Sequence, residues 1–149
     1  MNGDLRGPLY LDASALVKLF VPEPESDQLN RALAGRRDLI VSDLAITEIA
    51  SAAARRMREG ELTARDARRL HREILADLRR GHLLGARSTP AVHREAERYL
   101  LQLRLRLRAA DALHLSLAAA EEAQTVITFD DRLRAAAGEI GLAVAPELS

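Results

Sequence analysis

Five short apolar runs punctuate the chain: Leu9-Tyr10-Leu11, Leu39-Ile40-Val41, Leu83-Leu84, Val126-Ile127-Thr128-Phe129 and Leu142-Ala143-Val144. They are continuous rather than alternating, the pattern of strands covered on both faces. The second and fourth are rich in β-branched residues, which favour strands. The segments between them have helical spacing. Residues 43–58 place Ile46, Ile49, Ala50, Ala53, Ala54 and Met57 along one face of a helix. Thr63 is placed to cap a helix running to about Arg80. Thr89-Pro90 opens another, over residues 90–103, with proline in the first turn. Residues 109–122 are almost wholly apolar and predict a buried helix. Gly60, Gly81, Gly85, Gly138 and Gly141 are expected at breaks between elements.

Strands separated by helices predict an α/β protein. The expected form is a three-layer α/β/α sandwich with a mainly parallel central sheet of four to five strands. The 149 residues fit a single domain over residues 1–149, with no linker or repeat. No apolar run approaches the roughly 20 residues that cross a bilayer, and no signal-peptide pattern opens the chain. The expectation is a soluble, cytoplasmic protein with no membrane partner.

Composition narrows the chemistry. Cysteine is absent, so disulfides, thiolate metal sites and cysteine nucleophiles are excluded. Aromatic residues are 3% and Trp is absent, which argues against base stacking on an aromatic platform. The net charge of zero hides an asymmetry. Residues 1–54 carry −3, residues 55–108 carry +8 and residues 109–149 carry −5. Both acidic ends therefore flank a basic middle. The predicted helix after Thr63 alone carries Arg65, Arg68, Arg69, Arg72, Arg79 and Arg80. Such a stripe suits phosphate contacts, which hold a nucleic acid without reading its sequence. A solvated face balanced by Asp66, Glu73 and Asp77 is the competing reading.

Two strands run straight into an aspartate, at Asp12 and Asp130, and a third is followed by Ser42-Asp43. In a parallel sheet these ends share one edge, where open α/β proteins bind ligands. An aspartate there also caps the next helix, and Asp43 is assigned that role. Glu48 lies mid-helix among Ala and Ser. Asp111 sits within an apolar helix, where a carboxylate must be paired, hydrogen-bonded, metal-bound or used as a cap. His114, one turn on, is expected to bond a backbone carbonyl rather than a metal. Crowded carboxylates repel one another and call for a cation; all-oxygen donors suit Mg²⁺ or Mn²⁺. Such ions activate water and neutralise charge on a phosphoryl group. Ser14 and Thr128, each two residues from an acid, are placed to orient carboxylates or water.

Four segments, in order, resemble the PIN-domain family and within it the VapC-type toxins of toxin–antitoxin pairs. They are Tyr10–Lys18 (YLDASALVK), Ser42–Glu48 (SDLAITE), Leu105–Leu115 (LRLRAADALHL) and Val126–Leu133 (VITFDDRL). The resemblance maps the family's four acids onto Asp12, Glu48, Asp111 and Asp130, with Asp131 a competitor for the fourth place. Ser116 stands where alanine is common. The resemblance implies a PIN-like fold and a Mg²⁺-dependent endoribonuclease with Mn²⁺ as a possible substitute. Asp12 and Asp111 would be the main metal ligands, completed by Glu48 and Asp130. It also implies a homodimer silenced by a cognate antitoxin. Leu16, Phe20, Leu44 and Met57 are the apolar candidates for an antitoxin groove. An RNA-processing nuclease without an antitoxin, or a non-catalytic PIN-like binding module, would share the pattern. A haloacid-dehalogenase-type phosphatase would need an aspartate where Ser14 stands. A phospho-receiver module would need a late lysine, and Lys18 is the last.

Overall fold

The computed structural model describes residues 5–102 and 104–147. Five strands, β1 (Leu9–Leu11), β2 (Leu39–Ser42), β3 (Leu84–Ala86), β4 (Thr125–Ile127) and β5 (Ala143–Ala145), form one sheet in the order β3-β2-β1-β4-β5. Every neighbouring pair is parallel. The seven helices are α1 (Ala13–Lys18), α2 (Ser26–Leu33), α3 (Asp43–Arg58), α4 (Ala64–Arg79), α5 (Pro90–Gln102), α6 (Ala109–Ala120) and α7 (Asp131–Glu139). The three-layer α/β/α sandwich is thus observed, with all five strands parallel.

Side chains alternate across a strand, so each strand feeds two cores. Leu9 and Leu11 of β1, Val41 of β2 and Ile127 of β4 pack with Leu16, Leu29, Ile46, Ile49 and Ile74 from α1–α4. Tyr10, Ile40 and Val126 face the other way, onto Val92, Tyr99, Leu115, Leu117 and Leu133 from α5–α7. This is why the apolar runs are continuous: both faces of the central strands are dry.

Helix starts follow their caps. Thr63 Oγ1 accepts from the Asp66 N–H (3.1 Å), and Thr89 Oγ1 from the Val92 N–H (3.3 Å). At α3 the cap is Ser42, whose Oγ accepts from the Ala45 N–H at 3.1 Å. Asp43, expected as the cap, is instead an exposed first-turn residue. The buried face of α3 runs through Ala45, Ile46, Ile49 and Ala53, while Ala50 and Met57 of the expected stripe are exposed. Gly60, Gly81 and Gly141 end helices with φ of 75°, 75° and 85°, a backbone region that glycine alone enters freely. Gly85 and Gly138, expected at breaks, lie inside β3 and α7. No helix of the described residues is long and apolar enough to cross a membrane.

Leu115 is fully buried in the second core, whereas Leu101 is 87% exposed. Leu115→Ala should therefore cost about 2–5 kcal/mol. Leu101→Ala should stay within about 0.5 kcal/mol of wild type. Urea unfolding of the two variants checks the contrast.

Candidate active site

The strand order reverses direction between β1 and β4, and the chain leaves both strands on the same edge. Such a switch point opens a crevice at the C-terminal strand ends. Asp12 follows β1 directly and is 4% exposed. Its Oδ1 accepts from the Ala15 N–H (3.0 Å) and from Ser14 Oγ (2.7 Å), and its Oδ2 accepts from Thr128 Oγ1 (2.6 Å). Burial pushes the Asp12 carboxyl above its ordinary range; the Ser14, Thr128 and Ala15 hydrogen bonds and the nearby His114 oppose that rise.

Thr128 joins the two strand ends. Besides donating to Asp12, its Oγ1 accepts from the Asp130 N–H at 3.0 Å. That bond turns the chain out of β4, so the strand stops at Ile127 rather than running on to Phe129. Asp130 then caps α7, with Oδ1 accepting from the Arg132 (2.9 Å) and Leu133 (3.0 Å) N–H groups. Its Oδ2 lies 3.6 Å from Arg108 Nη2. Asp131 is the exposed first residue of α7.

Asp111 is also 4% exposed and reaches back to the start of α6, where Oδ2 accepts from the Arg108 N–H at 3.0 Å. The Arg108 Nε stands 3.4 Å from the same oxygen. One guanidinium therefore spans Asp111 and Asp130. Capping and site membership do not exclude each other here. Asp12, Asp111 and Asp130 each cap a helix, and the positive ends of three helices favour their negative charge.

Glu48 approaches from α3. It meets His114, whose Nε2 lies 2.5 Å from Glu48 Oε1. The other ring nitrogen, Nδ1, is 2.7 Å from the Tyr10 hydroxyl. That corrects the expected backbone partner for His114. The Tyr10 hydroxyl is also 3.0 Å from Ser42 Oγ. Desolvation drives the Tyr10 phenol far above its ordinary range, so it stays protonated. Tyr10, Ser42 and Arg108 join the site without having been expected there. Arg108 was legible as an Arg-x-x-Asp pair one turn apart, and a tyrosine in a strand covered on both faces must find a partner for its hydroxyl.

The expected acids are thus linked in part: Thr128 joins the Asp12 carboxylate to the Asp130 backbone and Arg108 joins Asp130 to Asp111, whereas Glu48 is held by His114, whose other ring nitrogen meets Tyr10. They do not converge fully: among the described residues, no three Asp, Glu or His side chains stand close enough to hold a metal ion. Glu48 and Ser14 open onto a groove of ≈530 Å³ bounded by Val17, Phe20, Ala52 and Leu70. Of the expected groove residues, Phe20 lines it. Leu16 is buried in the first core, Leu44 packs against the second, and Met57 lies outside the lining.

The model of the PIN domain family matches residues 9–139. The chain belongs to the PIN-domain family. It is 36% identical to ribonuclease VapC46 from Mycobacterium tuberculosis over 141 residues, covering 91% of this chain and 95% of the relative. Among solved structures, this PIN domain superposes on VapC20 from the same organism, described as a Sarcin-Ricin loop cleaving toxin. The TM-score is 0.64 at 17% identity, covering 86% of this chain and 94% of that one. It also superposes on VapBC2 from Rickettsia felis bound to a DNA fragment from their promoter, with a TM-score of 0.60 at 15% identity, covering 92% and 96%. These two likenesses concern the fold.

Thr128→Val keeps the shape but removes the hydroxyl that serves both Asp12 and Asp130. The variant should lose about 1–3 kcal/mol of stability in chemical denaturation, the cost of leaving buried polar groups unmatched. A variant as stable as wild type would show that the Thr128 bonds carry no net weight.

Proposed function

We propose that this PIN domain is a divalent-metal-dependent endoribonuclease of the VapC type that hydrolyses RNA phosphodiester bonds. The observation that carries the reading is the chain of contacts at the switch point of the sheet: Thr128 links the Asp12 carboxylate to the Asp130 backbone, Arg108 spans Asp130 and Asp111, and Glu48 bonds His114 of the same helix as Asp111. The 36% identity to a ribonuclease over nearly the whole chain supports it.

The donor set fits Mg²⁺ or Mn²⁺ because it consists of hard carboxylate oxygens. Two of those carboxylates already face one shared cation, the Arg108 guanidinium. The Arg108 side chain is 62% exposed and can withdraw into solvent as an ion enters. Asp12 and Asp111 would be the main ligands, with Glu48 and Asp130 completing the set directly or through water. When bound, the ion would supply charge neutralisation at the scissile phosphate and activation of water.

The protein's own groups prepare that chemistry. Ser14 and Thr128 hold both oxygens of Asp12, so the carboxylate does not rotate. The helix starts hold Asp111 and Asp130. The exposed arginines of α4 supply phosphate contacts beside the groove. Arg69 and Arg80 are partly balanced by Glu73 (3.1 Å) and Asp77 (3.8 Å).

The same reading gives the groove a partner. A cognate antitoxin would lay an apolar segment against Phe20, Val17 and Leu70 and place a basic side chain near Glu48.

Cleavage of a defined RNA should stop in excess EDTA and return with Mg²⁺ or Mn²⁺. Asp12→Asn and Asp111→Asn should each abolish it while circular dichroism shows the fold intact. Full activity in EDTA, from protein free of contaminating nucleases, would defeat the reading.

Substrate grip has its own signature. Combining Arg68→Ala with Arg72→Ala should weaken RNA binding. For every phosphate that the double variant no longer neutralises, the log–log salt dependence on single-stranded RNA should flatten by roughly 0.7. Unchanged affinity and slope would place the RNA on another face.

A further inference from the structure

The Ser42, Tyr10, His114 and Glu48 side chains form one hydrogen-bonded file from β2 through β1 and α6 to α3. Tyr10 is 0%, Ser42 1% and His114 3% exposed, whereas the Glu48 side chain is 35% exposed. The file therefore has three dry members and one end that reaches water, and that end is a proposed site acid. Its links measure 3.0 Å (Ser42 Oγ to Tyr10 Oη), 2.7 Å (Tyr10 Oη to His114 Nδ1) and 2.5 Å (His114 Nε2 to Glu48 Oε1). Ser42 is anchored in turn by the Ala45 N–H at 3.1 Å. The Tyr10 and His114 rings also meet edge to face, with centroids 5.8 Å apart.

Ser42 has a stability role of its own as the α3 cap, but stability does not account for the Tyr10–His114 link. Phe and Leu at positions 10 and 114 would fill the same interior without burying polar atoms. Replacing both partners of a buried hydrogen bond by apolar groups is nearly neutral. What the file does confer is direction. Glu48 sits on a helix with a long side chain and an open groove beside it. An unrestrained side chain of that kind loses rotamer entropy when it is fixed. An imidazole held at both nitrogens has one orientation, so the carboxylate it meets has one as well.

We propose that Tyr10, His114 and Ser42 are positioning residues that set the reach of Glu48 into the acidic site. They touch neither substrate nor ion; they act through Glu48. The inference rests on the metal-dependent reading above for its consequence, and on geometry for the file itself.

The test is a double-mutant cycle on Mn²⁺ binding, read by calorimetry on the full chain without RNA. Tyr10→Phe removes the central hydroxyl and keeps the ring. It should weaken Mn²⁺ binding about tenfold, the usual effect of losing a group that orients a ligand. In a Glu48→Gln background the same substitution should change binding less than about twofold, because its route to the ion is gone. Equal loss in both backgrounds, or no loss in the wild type, overturns the proposal. A second measurement needs neither metal nor a change in the core. Glu48→Gln alone should shift the NMR signals of the His114 ring and the Tyr10 hydroxyl; unmoved signals also overturn it. A wild-type protein that binds no Mn²⁺ but shows those shifts would defeat the metal reading and leave the file standing.

Discussion

Almost everything at the C-terminal edge of this sheet depends on how a buried carboxylate is kept. Asp12 is nearly inaccessible, and an isolated charge there would be very costly. Three donors offset that cost: one hydroxyl from its own helix, one backbone N–H, and one hydroxyl from the far side of the strand crossing. The third donor ties β1 to β4 where the strand order turns back. Ser14 adds a second tie, accepting from the Phe129 N–H at 2.9 Å. The position of one acid and the junction of two strands are therefore the same structural fact.

The other acids follow the same economy. Each aspartate of the set has a mundane helix-capping bond, and that bond is what fixes its rotamer. For Asp111 and Asp130, the Arg108 guanidinium spans both carboxylates. The arginine thus brings positive charge to two acids in covalent form.

Much of this was legible in the chain. Dry strands advertise themselves as unbroken apolar runs, and α3 and α4 begin and end close to where their spacing and caps place them. Asp12 and Asp130 were visible because strand ends in a parallel sheet share an edge. What stayed hidden was of two kinds. Short-range polar bonds shifted boundaries: Ser42 rather than Asp43 caps α3, and the Thr128 hydroxyl turns the chain out of β4 before Phe129. Long-range partners left no periodic trace. Glu48 and His114 meet across 66 residues of sequence, and Tyr10 and His114 across 104. No local pattern joins residues so distant. The groove differs from its expected lining for a related reason: Leu16 and Leu44 have the right spacing, but the packing of the sheet's two faces claims them.

The 116-residue separation between Thr128 and Asp12 has a consequence for the newly made chain. Translation delivers residues at ~5–20 per second, so on the order of ten seconds separates the two. Throughout that interval Asp12 has no Thr128 beside it, β1 has no β4, and Asp130 does not exist. A nascent or prematurely terminated polypeptide cannot assemble the acidic edge, whatever helices it has already formed. The edge is completed late in synthesis, in an order set by the strands.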